Sequence, residues 1–217
     1  MHNQHPQEHP EAPQPKPSTD HKDRSHEGLL SILGTIALLV AAPLIAIVFT
    51  MFVFQSYEVD GPSMQNTLQH QDRLIVYKLP KTISRITKKP YIPKRGEIIV
   101  FERADLGSSD EFGHGGGKQL IKRVIALPGE RVVVKDGQMI VYNQDHPEGF
   151  NPDAGTSYAN NIANTPGDVD ITVPENEVFV AGDNRNNSLD SRYFGTVPSS
   201  ELVGELVFRL WPSSKSF

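Results

Sequence analysis

The segment from Leu29 to Phe54 contains no ionisable residue, and it constrains the fold more than any other part of the sequence. Crossing a hydrocarbon core about 30 Å thick takes roughly 20 helical residues, because each helical residue advances the chain by about 1.5 Å. This segment is therefore long enough to span a membrane with some tilt. Pro43 would break a helix in water but is tolerated in lipid, so we expect a kink there and not an end.

Two other interpretations of the apolar segment are a cleaved signal peptide and a buried core helix. A signal peptide has a shorter apolar region near the chain start and small residues at its cleavage point. Here the polar residues Gln55–Glu58 follow instead. A core helix would carry a polar stripe with a period of 3.6 residues, whereas this segment is apolar all round. The pattern favours a single transmembrane helix over residues 29–54.

The first 28 residues contain many prolines and five of the eight histidines, but almost no large apolar side chains. Such a composition cannot form a core, and it predicts a disordered tail. The histidine spacings do not repeat as they would on one helix face, which argues against a metal-binding tract. The histidines concerned are His2, His5, His9, His21 and His26.

The basic residues near the span predict its orientation. Lys16, Lys22 and Arg24 precede the span, whereas Arg73 is the first basic residue after it. Because Lys and Arg collect on the cytoplasmic side of a membrane helix, we expect a cytoplasmic tail and an extracytoplasmic domain. The cell membrane is the expected location.

Composition excludes several classes of protein. The net charge of −5, without a basic stripe that would gather phosphates, makes nucleic acid a poor partner. The chain has no cysteine, which excludes disulfides, thiolate metal sites and a cysteine nucleophile. We expect no cofactor and no metal. Residues 55–217 suffice for one compact domain, expected to be a monomer.

Short runs of β-branched and aromatic residues after the span, bounded by Gly, Pro and Asp, predict strands. Asp136-Gly137 predicts a two-residue hairpin turn, since both residues accept positive φ angles. Many short strands and no long amphipathic helix indicate a mainly β domain with an antiparallel, barrel-like sheet or packed sheets. Residues 103–118 and 146–174 are predicted loops or insertions. The predicted strands include Tyr57 and Val59, then 74–77, 97–101, 119–126, 131–134, 139–142, 177–181 and 202–210.

Three segments contain residues suited to chemistry. Ser63 lies in Gly61-Pro62-Ser63-Met64, which taken alone is typical of an ordinary turn. Lys122 lies in a predicted strand beside apolar neighbours, where it is either an edge lysine that prevents aggregation or a desolvated amine. Burial disfavours the ammonium and lowers the pKa of a lysine, and a neutral amine can accept the proton of a serine.

The third segment, from Gly182 to Gly195, reads GDNRNNSLDSRYFG. It is too polar for a strand and rich in hydrogen-bond acceptors. An Asx-turn loop and a calcium-binding loop are both alternatives to an ordered catalytic network. The alternating acidic pattern and closing glutamate of a calcium loop are not met.

Taken together and in this order behind a membrane span, these boxes resemble those of the bacterial type I signal peptidases. The boxes are GPSM with a following Thr-Leu, RGEIIVF, KRVIALPGE and GDNRNNSLDSRYFG. The resemblance runs from about Leu29 to the end of the chain. It implies a membrane-bound Ser–Lys dyad protease that removes signal peptides from exported preproteins on the outer face of the membrane, after an Ala-x-Ala-like site.

The resemblance also implies roles for individual residues. Ser63 matches the nucleophile and Lys122 the general base. Ser188 matches the serine that orients the lysine. The resemblance further implies two supporting ion pairs, Asp190 with Arg192 and Asp183 with Arg123. It implies a β-sheet core carrying a small variable insertion, near residues 143–175.

The chain departs from the family pattern at two positions. Some members supply an oxyanion donor from a serine two residues before the nucleophile, where this chain has Gly61. Asn66 stands where proline is frequent. Two rival functions are a self-cleaving regulatory protease, which also uses Ser and Lys, and a noncatalytic membrane-tethered β module. The membrane span and the absence of a DNA-binding helix pair disfavour the first rival.

Overall fold

The computed structural model describes residues 23–65, 67–107 and 117–211. The chain divides into two compact units, residues 1–47 and 48–217. In the first unit, the described residues belong to helix α1, which runs from Asp23 to Phe52 and continues through Pro43. The helix begins six residues before the predicted span. The prediction of a disordered tail over residues 1–28 was therefore wrong for residues 23–28, which are helical, and its remainder, residues 1–22, lies outside the described residues.

The stretch Ser31–Thr50 of α1 is long and apolar enough to cross a membrane, with a mean hydropathy of 2.7 and no buried side chain. The predicted helix over the apolar segment is confirmed. Its end differs by two residues, because Phe54 already belongs to the first strand.

The second unit is built on a seven-stranded and a three-stranded antiparallel sheet. The first has the order β1-β2-β10-β3-β4-β8-β9 and the second β6-β5-β7. The strands are β1 Phe54–Glu58, β2 Arg73–Tyr77, β3 Ile98–Arg103, β4 Lys118–Ala126, β5 Arg131–Lys135, β6 Gln138–Tyr142, β7 Val169–Thr172, β8 Glu177–Ala181, β9 Val197–Pro198 and β10 Leu202–Trp211. Among the described residues, this unit also contains the short α-helices α2 Leu79–Thr87 and α3 Ser191–Phe194. The predicted mainly β fold is confirmed.

Strand alternation determines which residues form the core. Ile125 of β4 packs with Val132 and Val141 of the smaller sheet, so the two sheets share one apolar cluster. The adjacent Val124 belongs to a different cluster with Phe101. Successive side chains of a strand point to opposite faces, and β4 therefore contributes to both clusters.

The predicted hairpin turn is confirmed. Lys135 pairs with Gln138, leaving two residues in the turn. Asp136 has a φ of 51° and Gly137 a φ of 78°. Both values are those of a primed turn, whose twist matches that of the flanking strands.

Two predictions of irregular structure were wrong in part. Residues 146–174 contain β7, which pairs with β5. Strand β7 has only four residues, so its pattern is too short to stand out. Helix α2 was not anticipated, because it has nine residues and buries none of them. Of the predicted loop 103–118, the first and last residues belong to β3 and β4, and residues 108–116 lie outside the described part.

Candidate active site

Ser63 lies in a turn that is anchored by the residue after it. Gly61 has a φ of 96°, in the region that favours glycine. The backbone N–H of Gln65 donates to the carbonyl of Pro62 at 3.0 Å, and that of Leu68 donates to Met64 at 2.8 Å. Met64 is fully buried in an apolar cluster. These contacts therefore fix the backbone that carries the Ser63 side chain.

Lys122 lies on β4, which pairs with β3 on one side and β8 on the other. Its side chain is 2% exposed. These observations exclude the interpretation as an edge lysine. The Lys122 Nζ donates to Ser63 Oγ at 2.7 Å and to the carbonyl of Ile121 at 2.9 Å. The structure thus brings together two residues that are 59 positions apart in the sequence.

Burial lowers the pKa of Lys122 to about 8. Desolvation of the ammonium is the largest cause, and nearby Asp190 opposes it by favouring the charged form. A lysine with this pKa is partly neutral near neutral pH. It is therefore suited to accept a proton from the hydroxyl beside it.

The polar segment 182–195 holds the Ser63 turn from the other side. The backbone N–H of Asn184 donates to the carbonyl of Ser63 at 3.0 Å. The Asn184 Nδ2 donates to the carbonyl of Pro62 at 3.2 Å. Both bonds act on the backbone next to the Ser63 hydroxyl, so this segment helps to define the position of the Ser63 Oγ.

Asp190 and Arg192 form a fully buried ion pair within this segment. Two guanidinium nitrogens each lie 2.8 Å from a carboxylate oxygen. The Asp190 carboxylate also accepts the backbone N–H of Gly182 at 2.9 Å. Because a buried charge is costly unless it is paired and hydrogen-bonded, this closed network stabilises a single loop conformation.

Asp183 and Arg123 form a second buried pair, with nitrogen–oxygen distances of 2.8 and 2.6 Å. Thr67 Oγ1 donates to the same carboxylate at 2.5 Å. This pair therefore links the strand that carries Lys122 to the turn that follows Ser63. The Arg123 guanidinium also lies 3.8 Å from the ring centre of Tyr158, within range of a cation–π contact.

Ser188 lies close to the site, but the structure shows no bond from it to Lys122. Its Oγ is buried and has no hydrogen-bond partner among the described residues. The role in orienting the lysine, which the family resemblance implies, stays a prediction.

The structure adds residues that the sequence reasoning did not single out. Arg185 forms a buried pair with Asp153, at 2.5 and 2.7 Å, and donates to Thr165 Oγ1 at 3.1 Å. The Tyr158 hydroxyl donates to the Asp153 carboxylate at 3.1 Å. These contacts join the predicted insertion to the 182–195 segment. Asn184 and Arg185 lie inside a recognisable box, whereas no sequence pattern distinguished Asp153 or Tyr158.

Gly182 lies where no side chain fits. A Cβ at this position would overlap Ser188 and the backbone carbonyl oxygen of Ser63. Rotation of the Ser188 side chain would move its Oγ but not its Cβ, and the Ser63 carbonyl cannot move without displacing the Ser63 backbone. We expect Gly182→Ala to lower kcat/KM of a reaction at Ser63 by about 10²-fold, the size of effect that follows a shift of about 1 Å at a reacting group.

Gly34→Ala is the matched control, because a Cβ there meets nothing within 4 Å. We expect this variant to be as active as the parent chain. A Gly182→Ala protein that is as active as the parent chain would contradict the close packing of Gly182 against Ser63.

Comparison with known proteins shows the family to which the chain belongs. Residues 32–211 match the family model described as signal peptidase, peptidase S26. The chain is 36% identical to the probable signal peptidase I-1 of Synechocystis sp., over 85% of each chain. It is 32% identical to the signal peptidase I of Leptolyngbya laminosa, over 95% of this chain and 91% of the relative. It is 34% identical to the signal peptidase I of Bacillus caldolyticus, over 75% of this chain and 82% of the relative. The chain is therefore a member of the signal peptidase family, peptidase S26.

Proposed function

We propose that this protein is a membrane-bound serine endopeptidase that removes signal peptides from exported preproteins, after an Ala-x-Ala-like site. The observation that carries the proposal is the 2.7 Å contact between Lys122 Nζ and Ser63 Oγ at a lysine that is 2% exposed. Membership of the signal peptidase family supports the same activity.

In the proposed mechanism, the neutral amine of Lys122 removes the proton of Ser63 as the Oγ attacks the carbonyl carbon of the scissile bond. The resulting ammonium then gives that proton to the leaving amine, and the C–N bond breaks. An ester between Ser63 and the signal peptide remains. Lys122 next takes a proton from water, the hydroxide attacks the ester, and the proton returns to Ser63 Oγ.

The tetrahedral intermediates carry an oxyanion that needs hydrogen-bond donors already in place. The backbone N–H of Ser63 is the proposed first donor. Gly61 has no side chain to contribute, so the second donor is a backbone group or a water molecule. We further propose that Asp190 with Arg192 and Asp183 with Arg123 shape the site, and that Ser188 orients Lys122.

The substrate is proposed to bind as an extended strand beside the segments that carry Ser63 and Lys122. Small side chains before the scissile bond would enter shallow apolar pockets. Helix α1 would anchor the enzyme in the lipid bilayer, with its N-terminus cytoplasmic and the catalytic domain outside. We propose a monomer that does not bind nucleic acid.

The pH dependence of cleavage tests the role of Lys122. Only the neutral amine accepts a proton, and the pKa of Lys122 lies at about 8. The rate should therefore rise with pH and level off above that value. At about pH 6 we expect kcat/KM to be lower than its plateau by about 10²-fold, because the neutral fraction of the amine falls tenfold for each pH unit below the pKa.

The measurement uses a peptide substrate without ionisable side chains near the cut, so that the profile reports the enzyme. Circular dichroism at each pH checks that the fold persists. A rate that does not change between about pH 6 and pH 8 would exclude a lysine base with this pKa.

A further inference from the structure

The segment from Lys78 to Arg95 carries a local positive charge that the net charge of the chain conceals. It contains seven basic residues and no acidic one, in a chain with a net charge of −5. The net charge of the whole chain does not reveal this segment, and the prediction that the chain has no basic stripe did not take it into account. The basic residues are Lys78, Lys81, Arg85, Lys88, Lys89, Lys94 and Arg95.

Helix α2, in the first half of this segment, begins beside the end of the apolar helix. The backbone N–H of Lys78 donates to the carbonyl of Val53 at 2.8 Å. Thr82 Oγ1 lies 3.4 Å from the carbonyl of Phe52, which it can reach as a weak donor. The stretch long enough to cross a membrane ends at Thr50. The first turn of α2 therefore contacts residues that follow this stretch by only two or three positions, where the headgroup layer of a bilayer would begin.

Two isoleucines of α2 face away from the β domain. Lys81 Nζ donates to the carbonyls of Ser199 and Ser200, at 2.6 and 3.0 Å, and so identifies the inward side. Ile83 and Ile86 are 48% and 77% exposed. A helix on a soluble domain normally turns its apolar stripe to the core. An outward apolar stripe on a basic helix is instead typical of helices that lie in a membrane interface.

Three cations lie in the last turn of α2 and directly after it. Arg85, Lys88 and Lys89 are exposed. None of them forms an ion pair with an acidic side chain among the residues described. Their charges are free to meet an anionic surface. Phosphate groups of anionic lipids provide such a surface at the depth where the two isoleucines would meet the acyl chains.

We propose that α2, with Lys88 and Lys89 after it, is an interfacial element that binds anionic lipid headgroups beside the membrane anchor. The inference rests on the proposed anchorage of α1 in a bilayer, and on no step of the peptidase reaction. Since the anchor holds α2 next to the lipid, docking is intramolecular and needs little affinity of its own. A docked α2 would give the catalytic domain a second point of attachment, which limits its tilt above the membrane.

Spin labelling of the full chain in vesicles tests this proposal. The chain has no cysteine, so Ile86→Cys can carry a single nitroxide label. In vesicles of phosphatidylcholine mixed with phosphatidylglycerol, we expect the label to be shielded from a water-soluble relaxation reagent and accessible to oxygen. A label at Lys135→Cys, on the exposed end of β5, is the control and should stay accessible to the water-soluble reagent.

The charge contribution is measured by replacing Arg85, Lys88 and Lys89 with glutamine in the Ile86→Cys chain. A cation near an anionic surface contributes about fivefold to such an equilibrium, so the ratio of docked to undocked α2 should fall by about 10²-fold. The label should then become accessible from water. Lys135→Gln in the same labelled chain is the matched control, and we expect it to leave the label shielded.

Two results would overturn the proposal. If the Ile86→Cys label is as accessible from water as the Lys135→Cys label, α2 does not dock. If it is equally shielded in phosphatidylcholine alone, or after the triple replacement, anionic headgroups are not what it binds. The labelling experiment is repeated with Ser63→Ala and needs no cleavage. A failure of the peptidase proposal would therefore leave its outcome unchanged.

Discussion

Ser63→Ala is expected to abolish cleavage of a preprotein, with kcat falling by at least about 10⁴-fold, as for loss of a nucleophile in other serine proteases. Alanine has no oxygen to attack the scissile carbonyl, and no covalent intermediate can form. The measurement is cleavage of a preprotein by the purified full chain in detergent, followed by product mass to locate the cut.

The matched control for this experiment is Ser56→Ala, which removes an exposed hydroxyl from β1. It should cleave at the parent rate. Ser63 Oγ is bonded to Lys122 alone among the described side chains, so its loss should leave the fold intact. Unchanged circular dichroism and thermal unfolding would verify this. Cleavage by Ser63→Ala near the parent rate would refute the nucleophile.

Lys122→Arg is expected to lower kcat by about 10²-fold to 10⁴-fold, the usual contribution of a general base. Arginine keeps the positive charge but stays protonated at working pH, so it cannot take the Ser63 proton. The variant therefore separates basicity from charge. The measurement is the same preprotein assay, with the pH profile recorded for any activity that remains.

Two further variants make the result interpretable. Lys135→Arg makes the same replacement at an exposed position and should have no effect. A buried arginine could unfold the domain, because Lys122 lies in a site only 2% exposed. Lys122→Met has a similar length and no charge, so it should fold and still fail to cleave. Full activity in a folded Lys122→Met protein would exclude the lysine as the base.

The two experiments also separate the proposed enzyme from a noncatalytic membrane-tethered β module. Such a module would need neither Ser63 nor Lys122 for binding, and no preparation of it would cleave a preprotein. A self-cleaving regulatory protease would lose cleavage in both variants, but its substrate would be its own chain. The product masses from the preprotein assay distinguish this case from cleavage in trans.

Several features could be predicted from local sequence because local physics decides them. The absence of charge between Leu29 and Phe54 is enough to predict a long apolar helix. The alternation of apolar residues and the Asp136-Gly137 turn predict strands and a hairpin, since both depend on neighbouring residues. The family boxes identified Ser63 and Lys122 as candidates, and family membership is confirmed by the match over residues 32–211.

The burial, the pKa and the ion pairing of the site residues depended on tertiary structure. Whether Lys122 is an edge lysine or a buried amine depends on the strands beside β4, and β8 lies far along the chain. Its pKa follows from that burial. Likewise, Asp153 meets Arg185 across 32 positions, and α2 turns its isoleucines outward beside the end of α1. Desolvation and ion pairing depend on which distant segments fold against a residue, and the local pattern does not contain this information.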